Sequence, residues 1–417
     1  METFEAYLER KYREISLLNE CLCSPQNLPR PRTVDQVIRT KFQLTAALRA
    51  EHELRDWRAT ETAWSTTARP ASGPFVFSYD YQRADLNVRG PMFYELGAGG
   101  TSETHYTASG MAAISAVMLS CSRVLANGEI LALPGSYGET LELIEHFTPG
   151  LQLACPKLPL AVPRTGLPKI LLLDSCVPAQ AFETVLRSSG SALDLLVFDT
   201  TCFAVRSGRI RRVLRWARRQ KIPVAMVRSH NKLDSLGVEY GRLGSVVSVR
   251  WNDAGGSSIV GRLSEEVRNA IRLLGGAALP AHFPPYVGTE AYWTLTKKRV
   301  AAILRNGRNT ARLFAHTLPS LTAELNFIHG LYVTLRAKSP LDERSARRLA
   351  EAMSCDLGGE GYAIRHAGSF GFDFAATEWF HDATTGQYSV RVAMPDLPTG
   401  LWNDLAAAIA RWWRTNQ

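Results

Sequence analysis

The chain has 417 residues, 46% hydrophobic and 21% charged, which is enough to bury the cores of two domains and excludes a disordered protein. No apolar run approaches the roughly 18 residues of a membrane span, and residues 1–20 mix both signs of charge, so a cytoplasmic location is expected and a membrane partner is not. Lysine and arginine exceed aspartate and glutamate by nine, a balance that raises the question of an anionic partner without deciding it.

Residues 1–60 read as helices, because Tyr7, Leu8, Tyr12, Ile15 and Leu18 recur at steps of three and four and 37–54 repeats the pattern. Pro25, Pro29 and Pro31 separate them. Residues 65–104 are rich in turns and aromatics (Phe75, Phe77, Tyr79, Tyr81, Phe93, Tyr94) and read as a long ordered loop, a kind of segment that is usually functional. Within it, Gly97 to Gly100 resembles a phosphate loop, but nothing before it reads as a strand, so a turn is expected. From Thr107 onward helices (111–125, 138–146) alternate with short apolar strands (129–133, 169–173, 195–198, 222–227, 245–249). That order predicts an α/β fold, a mostly parallel sheet with helices on both faces.

Between 209 and 221, Ile210, Val213, Leu214 and Ala217 fall at helical spacing and leave Arg211, Arg212, Arg215, Arg218 and Arg219 on the other faces. A solvated crossover helix is the reading, with nucleic acid not expected as a partner. Residues 290–317 form one long helical stretch or two, and 323–335, 344–353, 362–374 and 388–393 outline a smaller α+β unit closed by a helix over 402–413. The expected division is a helical arm and loop region over 1–104, a large domain over 105–280 and a small domain over 281–417. Seven cysteines (Cys21, Cys23, Cys121, Cys155, Cys176, Cys202, Cys355) lie scattered without CxxC pairs. They predict neither a disulfide framework nor a metal site, and read as small buried hydrophobes.

The chemistry concentrates where two strands end. The run 222–227 is followed by Ser229, His230, Asn231 and Lys232, which places a lysine beyond the carboxyl end of a strand, where open α/β sheets bind ligands. The run 193–200 carries Asp199 at its end, and the interval to Lys232 has room for one helix between two parallel strands. An acid and a lysine then face one crevice. Pyridoxal phosphate (PLP) needs that pair, the lysine for its Schiff base and the acid for its pyridine nitrogen. Ser109, Gly110 and Met111 open a small-residue helix whose free amides suit a phosphate, although taken alone these residues read first as an ordinary helix capped by Ser109. Tyr137, in the loop 134–139, is placed to stack on a planar cofactor and to act as an acid, or simply to pack.

Taken in order, these segments resemble the cystathionine synthase and lyase group (Cys/Met metabolism) of fold-type-I PLP enzymes, over roughly residues 105–417. SGMAAISA from Ser109 is similar to that family's phosphate turn, with the Gly110 and Met111 amides on the phosphate, and SYGET from Ser136 to its stacking-tyrosine segment, here Tyr137. VFDTT implies Asp199 on the pyridine nitrogen with Thr201 nearby, and SHNK implies Lys232 on the aldehyde with Ser229 towards the phosphate. GSFG and YSVRVAMPD resemble the segments that hold the substrate carboxylate, here through Ser369 and Arg391. Tyr81 and Arg83 have the spacing of the pair by which one subunit clamps its neighbour's phosphate. The sequence departs from the pattern at Asn231, where the family has threonine, at Leu233, where it has an aromatic residue, in a longer Asp-to-Lys interval, and in Val88 where an NPT proline would follow Asn87.

The resemblance implies a homodimer or homotetramer with the site near a subunit boundary, and γ- or β-elimination or replacement on an amino acid substrate through aldimine and carbanion (quinonoid) intermediates. In that scheme Lys232 is the base and Tyr137 the acid. The divergent lysine loop and N-terminal region point to specialised biosynthesis. An aminotransferase or carbon-carbon bond-forming enzyme would use the same residues, and a non-catalytic binding or regulatory module on the same fold is the distant alternative.

Overall fold

A computed structural model describes residues 2–58, 71–78, 87–94, 96, 99–160, 166–252, 258–318, 324–326, 330–382 and 386–416. The elements run α1 (Phe4–Glu20), α2 (Val34–Arg58), β1 (Ala71–Ser72), β2 (Phe75–Ser78), β3 (Asn87–Arg89), β4 (Gly100–Thr107), α3 (Gly110–Val124), β5 (Glu129–Ala132), α4 (Gly138–Phe147), β6 (Gln152–Ala154), β7 (Lys169–Asp174), α5 (Ala179–Arg187), β8 (Leu195–Asp199), α6 (Gly208–Gln220), β9 (Val224–Ser229), β10 (Gly244–Trp251) and α7 (Ser258–Leu273). Then come α8 (Glu290–Thr317), β11 (Glu324–Asn326), β12 (Tyr332–Leu335), α9 (Glu343–Gly359), β13 (Ile364–His366), β14 (Ala375–Asp382), β15 (Gln387–Ala393) and α10 (Thr399–Asn416). No helix among the described residues is long and apolar enough to cross a membrane.

Two compact units form, one from His52–Asn231 with Tyr240–Gly288, the other from Met1–Glu51, Lys232–Glu239 and Thr289–Gln417. The first holds a seven-stranded sheet of order β4-β10-β9-β8-β7-β5-β6. Its five strands from β6 to β9 are parallel, as the alternation of strands and helices predicts, while β10 runs antiparallel to both β9 and β4. Alternate residues of the strands (Ile170, Leu172, Leu195, Val197, Ala225, Val227) pack with Val117, Met118 and Cys121 of α3 and Leu263, Val267 and Ile271 of α7. On the opposite face Phe198 meets Phe203, which meets Phe182 of α5. Both faces are covered, which is why these strands read as continuous apolar runs.

Strand β4 escapes the sequence reading because it is an edge strand of GTSETHYT, largely exposed and without alternation. Residues 65–104 are correspondingly not one loop: β1, β2 and β3 form a small antiparallel sheet, and Phe75 and Phe77 both pack on Phe283 with ring centroids 5.0 Å apart. Helix α6 is the predicted basic crossover. Ser207 caps it, Ile210, Val213, Leu214, Trp216 and Ala217 are buried, and Arg212 forms a fork with Glu183 at 2.9 and 2.6 Å. The cysteine expectation is corrected in part: Cys121 and Cys202 are buried, but Cys23 and Cys155, in connections after α1 and β6, and Cys355, on α9, are exposed.

The second unit holds a five-stranded sheet of order β11-β12-β15-β14-β13, antiparallel except between β13 and β14. Helix α8 is continuous over 28 residues and is capped by Thr289. A buried ion network joins distant parts of the sequence here. Lys11 reaches Asp373 at 2.5 Å and Asp396 at 2.6 Å, Lys41 reaches Glu14 at 2.7 Å and Asp373 at 2.6 Å, and Arg299 reaches Asp373 at 2.5 Å and Glu14 at 3.0 Å. Arg10 closes the set on Asp396 at 2.7 Å. Every one of these groups is almost wholly buried, so each charge is held by its partners in place of water. The three clustered carboxylates Glu14, Asp373 and Asp396 have a metal site's spacing, but lysine and arginine already neutralise them.

Candidate active site

In the sheet unit, five of the seven predicted residues in its described part, Ser109, Gly110, Ser229, Thr201 and Asp199, form a line at the carboxyl ends of β8 and β9; Met111 follows Gly110 in α3, and Tyr137 is tied to the end of β7 through Asp174. Ser109 caps α3, its Oγ accepting the Ala112 N–H at 3.0 Å, and leaves the Gly110 and Met111 amides at the helix mouth. Gly110 lies directly against β9: a Cβ built on it would stand 2.6 Å from Ser229 Cβ. The Ser229 N–H donates to Thr201 Oγ1 at 3.1 Å, and the Thr201 N–H donates to Asp199 Oδ1 at 2.7 Å. A Gly110→Ala substitution is therefore expected to destabilise the fold by about 1–3 kcal/mol through overpacking, read by urea unfolding. A loss below about 0.5 kcal/mol would mean the helix mouth has slack.

Asp199 has a neighbour that the sequence reading missed. Asp174 ends β7 in register with Asp199 on β8, and both carboxylates are buried. Asp174 Oδ2 accepts the Tyr137 N–H at 2.7 Å and Oδ1 the Cys176 N–H at 2.7 Å, so it fixes the loop that carries Tyr137. The Tyr137 side chain itself is 38% exposed. The signal was present, since the run 169–174 ends in an acid just as 195–199 does.

Burial first, and then the charge of Asp174, push the Asp199 carboxyl up to about 7, against the Thr201 hydrogen bonds. Burial raises Asp174 as well. A carboxyl group whose folded value lies above the ordinary value near 4 stabilises the fold fully below about pH 4, and that contribution is lost as pH rises through about 7. Asp199→Asn should accordingly raise the thermal midpoint of cofactor-free protein at pH 8 and leave it almost unchanged at pH 4. Equal shifts at both pH values in thermal unfolding would contradict this account.

Aromatic residues from the segment before β4 support the strand ends. Tyr94 OH lies 2.6 Å from Thr200 Oγ1, and the Phe93 ring packs at a tilt of 35° against His230 with centroids 4.0 Å apart. Tyr81 and Arg83 lie outside the described residues.

The other three predicted residues lie in the second unit. Lys232 Nζ donates to Ser369 Oγ at 2.5 Å and lies 5.7 Å from the centroid of the Phe370 ring. Gly371 passes so close that a Cβ there would be 2.6 Å from the Lys232 carbonyl oxygen, and its positive φ of 92° also requires glycine. Lys232 and the GSFG turn are thus held together. Arg391, on β15, is brought to Glu378 of β14, a partner the sequence reading did not name.

No family model matches the chain, and no curated protein matches it. Solved structures do. Cystathionine γ-synthase from Xanthomonas oryzae pv. oryzae, in complex with aminoacrylate and cysteine, aligns over 89% of this chain and 99% of its own at 16% identity with a TM-score of 0.52. The same enzyme in complex with cystathionine covers 93% of this chain and 100% of its own at 18% identity and 0.51. The metB protein of Corynebacterium glutamicum covers 89% and 98% at 16% identity and 0.52. At such identities the likeness establishes architecture: the chain has the fold-type-I arrangement expected from its sequence, a mostly parallel sheet flanked by helices and a separate small sheet unit.

Proposed function

We propose that this protein is a PLP-dependent enzyme that carries out γ- or β-elimination or replacement on an amino acid substrate in specialised metabolism. The observation that carries the reading is the buried Asp199 carboxyl at the end of β8, with Lys232 three residues beyond the end of the adjacent parallel strand β9. Three residues of chain keep the Lys232 Cα within about 11 Å of the Ser229 Cα, whatever their path. The donor set fits the cofactor. The Gly110 and Met111 amides and Ser229 would take its phosphate, and Asp199, a buried acid beside Asp174, would be held ionised by a pyridinium N–H. Tyr137 would cover one ring face, and Lys232 would hold the aldehyde.

When bound, PLP supplies an electron sink for a carbanion at the substrate α-carbon. The chain's own residues then have separable tasks. Ser369 and Arg391 receive the acid end of the substrate. The Lys232 amine, placed by Ser369, moves the α-proton. Tyr137 donates a proton to the departing group. The cystathionine γ-synthase of Xanthomonas oryzae pv. oryzae, similar in both of its complexes, shares the fold on which this class of chemistry would run.

The test is direct. Purified protein, loaded with PLP, should absorb in the visible, and borohydride reduction followed by peptide mapping should leave the cofactor on the peptide that contains Lys232. A protein that remains colourless with added PLP, or a label on another lysine, would overturn the assignment.

A further inference from the structure

Arg391 does not face the site alone. It stands directly across the β14–β15 pair from Glu378, its Nη2 2.7 Å from Glu378 Oε1, with only 10% and 13% of the two side chains exposed. The Phe380 and Tyr332 rings cover the guanidinium, with centroids 3.8 and 4.7 Å away. The second oxygen of Glu378 is turned towards the segment that carries Ser369: a Cβ built on Gly368 would lie 3.4 Å from Oε2. Ser369 in turn accepts from Lys232, and Tyr332 packs edge-on against Phe370 at 5.5 Å. Glu378 therefore sits between the arginine and the serine assigned to the acid end of the substrate.

A guanidinium recognises a carboxylate through opposite charge and a planar fork. Here the charge is already neutralised by a carboxylate of the same chain, in surroundings where water screens weakly. A zwitterionic amino acid would bring a second carboxylate beside Glu378, and like charges brought together under burial oppose binding. An amide or ester brings a carbonyl acceptor without charge, which a neutral Arg–Glu pair can meet. We propose that Glu378 is a specificity-determining residue that turns the site away from free α-carboxylates and towards amino-acid derivatives whose acid group is masked as an amide or ester. The inference rests on the PLP reading above and deepens it.

The experiment uses the PLP-loaded protein, titrated with L-alanine and with L-alaninamide, with dissociation constants taken from the change in cofactor absorbance and from calorimetry. The wild type is expected to bind the amide at least as tightly as the acid. Glu378→Gln is expected to tighten L-alanine binding about tenfold or more while moving the amide less than about threefold, and Glu378→Asp, which keeps the charge, to retain the wild-type order. A wild type that prefers L-alanine tenfold, or Gln and Asp variants that shift both ligands alike, would overturn the proposal, because the effect would then be packing or absent. Failure of the wild type to retain PLP, seen before any titration, would instead remove the cofactor reading on which the proposal stands.

Discussion

Replacing Lys232 by alanine is expected to lower turnover about 1,000-fold or more, because in the proposed reaction one change removes both the covalent anchor and the positioned base. Folding should survive it. The side chain contributes one hydrogen bond to Ser369, at about 1 kcal/mol, and a partial packing on Phe370. Steady-state rates and a urea unfolding curve on the same preparation separate the two effects. Turnover within tenfold of wild type would show that Lys232 is not the base, whereas a collapse in stability would show that it belongs to the scaffold. Lys232→Arg keeps the charge near Ser369 and is expected to fold as well but to remain as inactive as the alanine variant.

The largest effect on stability is expected at Asp373. Its carboxylate receives Lys11, Lys41 and Arg299, so Asp373→Asn leaves these three buried cations sharing Glu14 and Asp396 with Arg10. Breaking a buried network from one side costs about 3–5 kcal/mol, since the remaining charges have no water to return to. A urea midpoint that implies less than about 1 kcal/mol would sink this estimate of the network. The pH dependence follows from the same residues. Against the cost of burial, the cations Arg299, Lys11 and Lys41 hold Asp373 well below the usual carboxylate range, and Lys11, Lys41 and Arg299 lower Glu14. Depressed folded values mean that the stabilisation is complete above about pH 4, where the unfolded groups ionise, and is lost as pH falls below it. The wild type should therefore weaken steeply between about pH 4 and pH 2, and Asp373→Asn should do so less.

The network also reaches the functional loop. The Lys41 ammonium is hydrogen-bonded to the Leu236 carbonyl, where the backbone takes a positive φ of 50°, and Arg299 Nη2 donates to the Gly371 carbonyl at 2.8 Å. A leucine in that conformation is strained, so its geometry depends on the groups that hold it. Helix α1 and the start of α2 thus act, within their unit, on the segment that follows Lys232 and on the turn that carries Ser369.

Much of the fold was legible in the amino-acid order, and the reasons are local. Buried sheet strands are continuous apolar runs, so the parallel β5, β7, β8 and β9 and the antiparallel β10 stood out, and the arginine-rich α6 declared its buried face by spacing alone. The same holds for residues whose place in the fold follows from chain position: Ser109 before a helix, Asp199 at the end of one strand and Lys232 after the end of the next. Edge strands and polar segments carry no such pattern, and β4 and the β1–β3 sheet were hidden for that reason. What only the tertiary structure decided are pairings of charges far apart in the chain, because a lone Lys11, Asp373 or Glu378 has the spacing of any surface residue. Burial alone distinguishes them, by removing the water that would otherwise solvate each charge and obliging it to find a partner: Lys11 with Asp373, and Arg391 with Glu378.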